Sequence, residues 1–134
     1  MRLHLPEGLK ARIAFEARAA LPGECCGLLL GRRDGEEAVA AALHPARNLA
    51  TRADRFEIAP EDHFAAVKRA RAEGLIVIGC YHSHPHGAAA PSAADLAGAS
   101  EEGFLWLIAT PDAMAAFIYS RGRFEGADLV TSSS

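Results

Sequence analysis

The run Leu75-Ile76-Val77-Ile78-Gly79-Cys80-Tyr81 constrains the fold of this chain more than any other stretch. It is far shorter than the roughly 20 apolar residues that cross a bilayer, and it lacks the alternation of a strand with one wet face. It therefore reads as a strand buried on both faces, in the middle of a sheet. Such a strand needs cover on each side, and the remaining sequence is rich in elements that can supply it.

From Pro6 to about Leu21, the residues Leu9, Ile13, Ala17, Ala20 and Leu21 recur at helical spacing, and Pro22-Gly23 ends that helix. Cys26 to Gly31 is a second buried strand, with Glu24 just ahead of it. Arg33-Asp34-Gly35-Glu36 reads as a hairpin turn, so Glu37 to Leu43 returns antiparallel. His44 to Arg55 has no period and is expected to be a loop, followed by a short strand at Phe56-Glu57-Ile58. Pro60-Glu61-Asp62 opens a second helix that Gly74 closes, with Phe64, Val67 and Ala70 on its inner face. Ser92 to about Glu102 reads as a third helix, then Phe104–Ala109 and Met114–Ser120 as strands, with a last strand after Arg121-Gly122-Arg123. The expected order is α-β-β-α-β-α-β-β-β, a single mixed, largely antiparallel α/β sheet flanked by helices. Trp106 belongs to its core.

Half of the 134 residues are apolar and 23% are charged, a balance that favours a packed core over disorder. The length suits one domain, 1–134, with residues 131–134 as a frayed tail. A net charge of -3, and no Lys/Arg run longer than Arg32-Arg33, argue against nucleic acid as a partner. Met1 to Pro6 contains no apolar signal region and no stretch is long enough for a membrane, so the expected location is the cytoplasm. Cys25, Cys26 and Cys80 are odd in number and lack Cys-x-x-Cys spacing, which indicates buried thiols rather than a disulfide or four-thiolate metal framework.

The chemistry gathers at the exit of the central strand, in His82-Ser83-His84-Pro85. Residues two apart in a strand share a face, so both imidazoles can point together while Ser83 faces away, and Pro85 ends the strand where a bound ion stays accessible. A His-x-His pair can also be plain polar punctuation. Ser92-Ala93-Ala94-Asp95 adds a carboxylate that the intervening loop can fold back, although Ser-x-x-Asp is equally a helix capping box. Two neutral histidines and one carboxylate suit divalent zinc with a fourth position left for water. Glu24 is the candidate base on a neighbouring strand, against the plainer reading of a solvated turn residue. Cys25 or Cys26 paired with a histidine would be a thiol nucleophile, a weaker reading beside the full zinc set. His86 is expected on the rim, touching substrate; His4, His44 and His63 are expected to be ordinary imidazoles.

His82-Ser83-His84-Pro85, six residues, then Ser92-Ala93-Ala94-Asp95, with Glu24 upstream of Cys26–Gly31, resembles the JAMM (MPN-plus) metalloprotease signature, in its stand-alone prokaryotic form. The resemblance covers nearly the whole chain and implies a cytidine-deaminase-like fold. It implies one zinc ion per chain on His82, His84 and Asp95, Glu24 as general acid/base, and the Ser92 hydroxyl stabilising the oxyanion. The implied function is a zinc metallopeptidase that hydrolyses the bond after the C-terminal Gly-Gly of a ubiquitin-like or sulfur-carrier protein, or of its conjugate. It is compatible with a homodimer. The alternative is a zinc-binding MPN scaffold without turnover. Deamination is disfavoured because the paired-cysteine zinc signature of deaminases is absent.

Overall fold

The computed structural model describes residues 1–133. In chain order the elements are β1 (Arg2–Pro6), α1 (Glu7–Ala20), β2 (Cys26–Asp34), β3 (Glu37–Ala46), α2 (Pro60–Ala72), β4 (Ile76–Ser83), α3 (Ala93–Gly98), β5 (Leu105–Ala109), β6 (Met114–Ser120) and β7 (Arg123–Ser132). The central strand is β4, paired antiparallel with β2 and parallel with β5. It is buried from Ile78 to Ser83, but Ile76 at its start is 54% exposed, so only the second half of the apolar run is covered on both faces. Gly79 is required there, because a Cβ would collide with the Leu105 carbonyl of β5.

The mixed α/β class holds, and the sheet goes one step further by closing on itself in the order β1-β3-β2-β4-β5-β6-β7. The pairs β2–β3, β2–β4, β5–β6 and β6–β7 are antiparallel, and β1–β3, β1–β7 and β4–β5 are parallel. The closing strand β1 is absent from the sequence reading. Leu3 and Leu5 are fully buried while Arg2 and His4 face outward, but this alternation lasts five residues and runs directly into α1. Its partner β7 extends through Ser132, with Thr131 and Ser132 paired to Leu5 and Pro6. The expected fraying of 131–134 therefore does not reach those two residues, and Ser134 lies outside the described residues.

Two apolar layers cover the sheet. Leu9, Ile13, Ala17 and Ala20 of α1 pack with Leu3, Leu5, Leu29, Tyr81 and Leu107, as the helical spacing indicated. On the other side, α2 sets Ala66 and Ala70 against Leu28, Leu30, Cys80 and Trp106. Burying each such Leu stabilises by about 1.5–3 kcal/mol. The expected inner face of α2 is corrected at two positions: Phe64 is 66% exposed, with the Lys68 ammonium 5.6 Å from its ring centroid, and Val67 is exposed as well. Small side chains let the helix lie close to β2 and β4, so Ala66 takes the place that the larger residues seemed to claim. Phe56–Ile58 forms only an isolated bridge, Asn48 to Ile58, and α3 ends at Gly98 rather than near Glu102. Among the described residues, no helix is long and apolar enough to cross a membrane.

Candidate metal centre

The pleat of β4 does what period-two geometry requires: His82 lies on the α2 side with Cys80, and Tyr81 on the α1 side. The Tyr81 hydroxyl donates to Glu16 of α1 at 2.7 Å, which satisfies an otherwise fully buried group. His82 is completely buried, its ring stacked on Phe56 with centroids 4.1 Å apart and edge-on to Trp106 at 5.7 Å. Trp106 is thus core, as expected, and also forms one wall of the site. His84 follows at the strand's end, where its N–H donates to the Ala109 carbonyl at the end of the neighbouring strand β5.

The loop after His84 returns Asp95 on the first turn of α3. Ser92 caps that helix: its Oγ accepts from the Asp95 N–H at 3.0 Å, and Asp95 Oδ2 accepts from the Ser92 N–H at 2.9 Å. The cap and the chemistry are not exclusive for either residue. Oγ accepts this bond and keeps its own proton free to donate, while the Asp95 carboxylate also faces the histidines.

Three donor atoms meet at this point. His82 Nε2 and His84 Nε2 are 3.1 Å apart, and each lies 3.1 Å from Asp95 Oδ2. Zinc bonds of about 2 Å in tetrahedral array place neighbouring ligands about 3.3 Å apart, so these residues fit that ion without rearrangement. The His84 Nδ1–H donates to the Ala88 carbonyl at 3.0 Å, which leaves the Nε2 lone pair facing the cluster in the neutral ring. His82 Nδ1 is buried without a hydrogen-bond partner. Burial lowers the pKa of His82, while the hydrogen bond to Asp95 raises that of His84. Burial opposes ionisation of Asp95, yet its close contacts with His82 and His84 outweigh it and hold the carboxyl well below the usual range.

Glu24 closes the group from β2's side. It is 6% exposed, and its carboxylate forms with His82 and His84 a set of possible ligand atoms all within 4.8 Å of one another. Its Oε1 has no hydrogen-bond partner, a costly state for a buried acceptor. Burial pushes its pKa up to about 7, where a carboxylate can both take and return a proton near neutral pH. A groove lined by Glu24, Asp54, His84, His86 and Ser92 opens beside it, with His86 exposed at the edge. Beyond Asp95, a cleft of about 270 Å³ runs between Ile58, His63, Phe104 and Trp106.

Residues 6–121 match the family described as prokaryotic homologs of the JAB domain. The chain belongs to that family. The matched span includes Glu24, His82, His84, Ser92 and Asp95, and the JAMM/MPN resemblance read from those residues is borne out. Among relatives, the JAB-family chain is 37% identical to a desampylase of Haloferax volcanii over 116 residues, 83% of this chain and 82% of that protein. It is 31% identical over 122 residues to a Thermus thermophilus protein named a probable TtuB-protein conjugate cleaving protease, covering 90% of this chain and 78% of that one. A solution structure of a Desulfitobacterium hafniense protein superposes with a TM-score of 0.90 at 30% identity, covering 98% of this chain and 94% of that one.

Two contributions to the site escaped the sequence reading. Phe56 lay in a stretch taken for a short strand, yet it packs flat against His82. Asn48, in an aperiodic loop, donates to the Glu24 carbonyl at 3.0 Å. The thiols are poor candidates for nucleophiles: burial raises Cys25 and Cys80 and pushes Cys26 up to about 12.

Proposed function

We propose that this protein is a zinc-dependent isopeptidase or peptidase that cleaves after the C-terminal Gly-Gly of a ubiquitin-like or sulfur-carrier protein, or of its conjugate. The observation that carries the reading is the meeting of three zinc-compatible donors with a buried carboxyl whose pKa is about 7. The names of the Haloferax and Thermus relatives support a conjugate of a small protein modifier as the substrate.

His82, His84 and Asp95 would hold the ion, and the chemistry it would supply there is Lewis acidity. Glu24 accepts the proton of the attacking water and passes it to the departing amine. Ser92, already fixed by its bond from the Asp95 N–H, turns its free O–H toward the oxygen on which negative charge develops. His86 contacts substrate at the rim of the groove. The position of Glu24 at the donor set favours turnover over the scaffold alternative, because a binding module gains nothing from burying an unpartnered carboxyl there.

The test is to incubate the purified protein with a ubiquitin-like modifier joined to a lysine side chain or to a linear extension. Intact masses are then read with and without chelator. Release of a modifier ending in Gly-Gly, stopped by chelation and restored by zinc, supports the reading. Zinc-loaded protein that leaves both bond types intact would favour the scaffold.

A further inference from the structure

The peptide unit between Glu24 and Cys25 is held by something other than the strand ladder. Pairing of β2 with both neighbours begins at Cys26. The two polar groups of the preceding peptide fall outside it, and each is taken by a side chain. Asn48 Nδ2 donates to the Glu24 carbonyl at 3.0 Å, and the Cys25 N–H donates to Ser83 Oγ at 2.9 Å. The Ser83 N–H then returns a bond to the Cys25 carbonyl at 3.2 Å. Ser83 is the residue between the two histidines, 3% exposed, and its side chain leaves the strand on the face opposite to theirs. One tripeptide thus aims two imidazoles at the cluster and grips the backbone of Glu24.

Asn48 spends its whole hydrogen-bonding capacity at this place. Nδ2 also donates to the Arg55 carbonyl at 3.3 Å, and Oδ1 accepts from the amides of Ala50 and Glu57, both at 2.9 Å. The bond to Glu57 fixes the residue next to Phe56, whose ring lies against His82. Asn48 therefore ties the backbone of Glu24 to the aromatic wall of His82.

We propose that Asn48 and Ser83 are positioning residues that clamp the Glu24–Cys25 peptide and so aim the Glu24 carboxyl at the His82–His84–Asp95 cluster. The inference rests on Glu24 acting as the base in the hydrolysis proposed above. Glu24 follows the Pro22-Gly23 turn, and its Oε1 makes no hydrogen bond that would fix the carboxyl. Its aim is set through its backbone. A misplacement of about 1 Å in a reacting group costs up to ~100-fold in rate.

The variants separate the clamp from the fold. Asn48→Asp is nearly isosteric and keeps an acceptor for the Ala50 and Glu57 amides while losing the donor to Glu24. Ser83→Ala removes the acceptor for Cys25, and Ser83→Thr restores it. Kinetics are read on a peptide ending in Gly-Gly that is amide-linked to aminomethylcoumarin, zinc is measured in each variant, and amide exchange is followed in ¹⁵N-labelled protein. With zinc retained, Asn48→Asp and Ser83→Ala should lower kcat by about 10- to 100-fold and leave KM within about twofold. Ser83→Thr should recover most of the rate. On a Glu24→Gln background the same changes should cost nothing more, because they act only through Glu24. Exchange of the Cys25 amide should quicken by at least about tenfold in Ser83→Ala, with Leu28 and Leu29 amides still protected.

An undiminished further loss on the Glu24→Gln background would overturn the proposal, as would unchanged kcat in both variants. If the wild-type protein does not cleave the probe, that result counts against the proposed function. The clamp is then decided by exchange: a Cys25 amide that is unprotected in the wild type, or equally slow in Ser83→Ala, rejects it, and selective loss of protection upholds it.

Discussion

Replacing Glu24 by Gln should stabilise the chelated protein above neutral pH while sharply slowing turnover. Burial drives the Glu24 carboxyl from 4.5 up to about 7; the nearby His84 pulls it back down, and the like charges of Asp95 and Asp54 add to the rise. The folded protein therefore keeps a proton that the unfolded chain releases. Stability from this group is full below about pH 4.5 and is lost as pH rises through about 7. At about 1.4 kcal/mol per pH unit, the full displacement corresponds to ~3 kcal/mol, and water reaching the carboxyl from the groove reduces this to about 1–3 kcal/mol. Gln has no proton to release. Urea unfolding in chelator across about pH 5 to 8.5 should show the variant's advantage growing up to neutrality and then levelling at about 1–3 kcal/mol. Chelation matters because a bound cation would return Glu24 toward its ionised form. An advantage that does not change with pH, or a variant less stable than wild type at the alkaline end, refutes the linkage. Turnover by the zinc-loaded variant should fall by about 10²- to 10⁴-fold.

Ser92→Ala removes both the α3 cap and the proposed oxyanion donor, so a stability loss of about 1 kcal/mol should accompany a kcat loss of about 10²-fold. Stability loss without any change in kcat would confine Ser92 to the cap. Gly79→Ala drives a Cβ into the Leu105 carbonyl and should cost about 3 kcal/mol in denaturant unfolding; a cost under about 1 kcal/mol would mean that β4 and β5 part more easily than their pairing indicates. Iodoacetamide under native conditions should leave activity intact, since burial raises the pKa of all three thiols. Rapid loss of activity in step with alkylation of Cys25 or Cys26 would revive the thiol-nucleophile reading.

The sequence made legible what depends on local spacing. The two-residue period that aligns His82 with His84, the Asp34-Gly35 turn and the start of α2 at Pro60 all follow from short-range stereochemistry, and the structure places them within a residue or so of expectation. Less legible was whatever depends on distant contacts. β1 has only five residues, and its burial is dictated by β3 and β7, which lie far along the chain. Phe64 and Val67 look like an inner face, but the close approach of α2 to the sheet selects alanines instead. The convergence of Asp95 on the histidines rested on a loop long enough to fold its helix back and on the family resemblance; the capping box, read as the competing explanation, coexists with it because Asp95 Oδ2 accepts from the Ser92 N–H and still faces both histidines. Asn48 carried no signal of its own. Its value comes from reaching across 24 positions to the Glu24 carbonyl, which nothing in its polar loop announces.

Zinc content measured by elemental analysis after mild chelation tests the central claim most directly, on the wild type, Glu24→Gln and His82→Ala/His84→Ala together. The account predicts about one zinc per chain in the wild type and in Glu24→Gln, and almost none in the double variant. No zinc in the wild type, or equal loss in Glu24→Gln and the double variant, would contradict the division of the site into three metal-holding residues and a separate base.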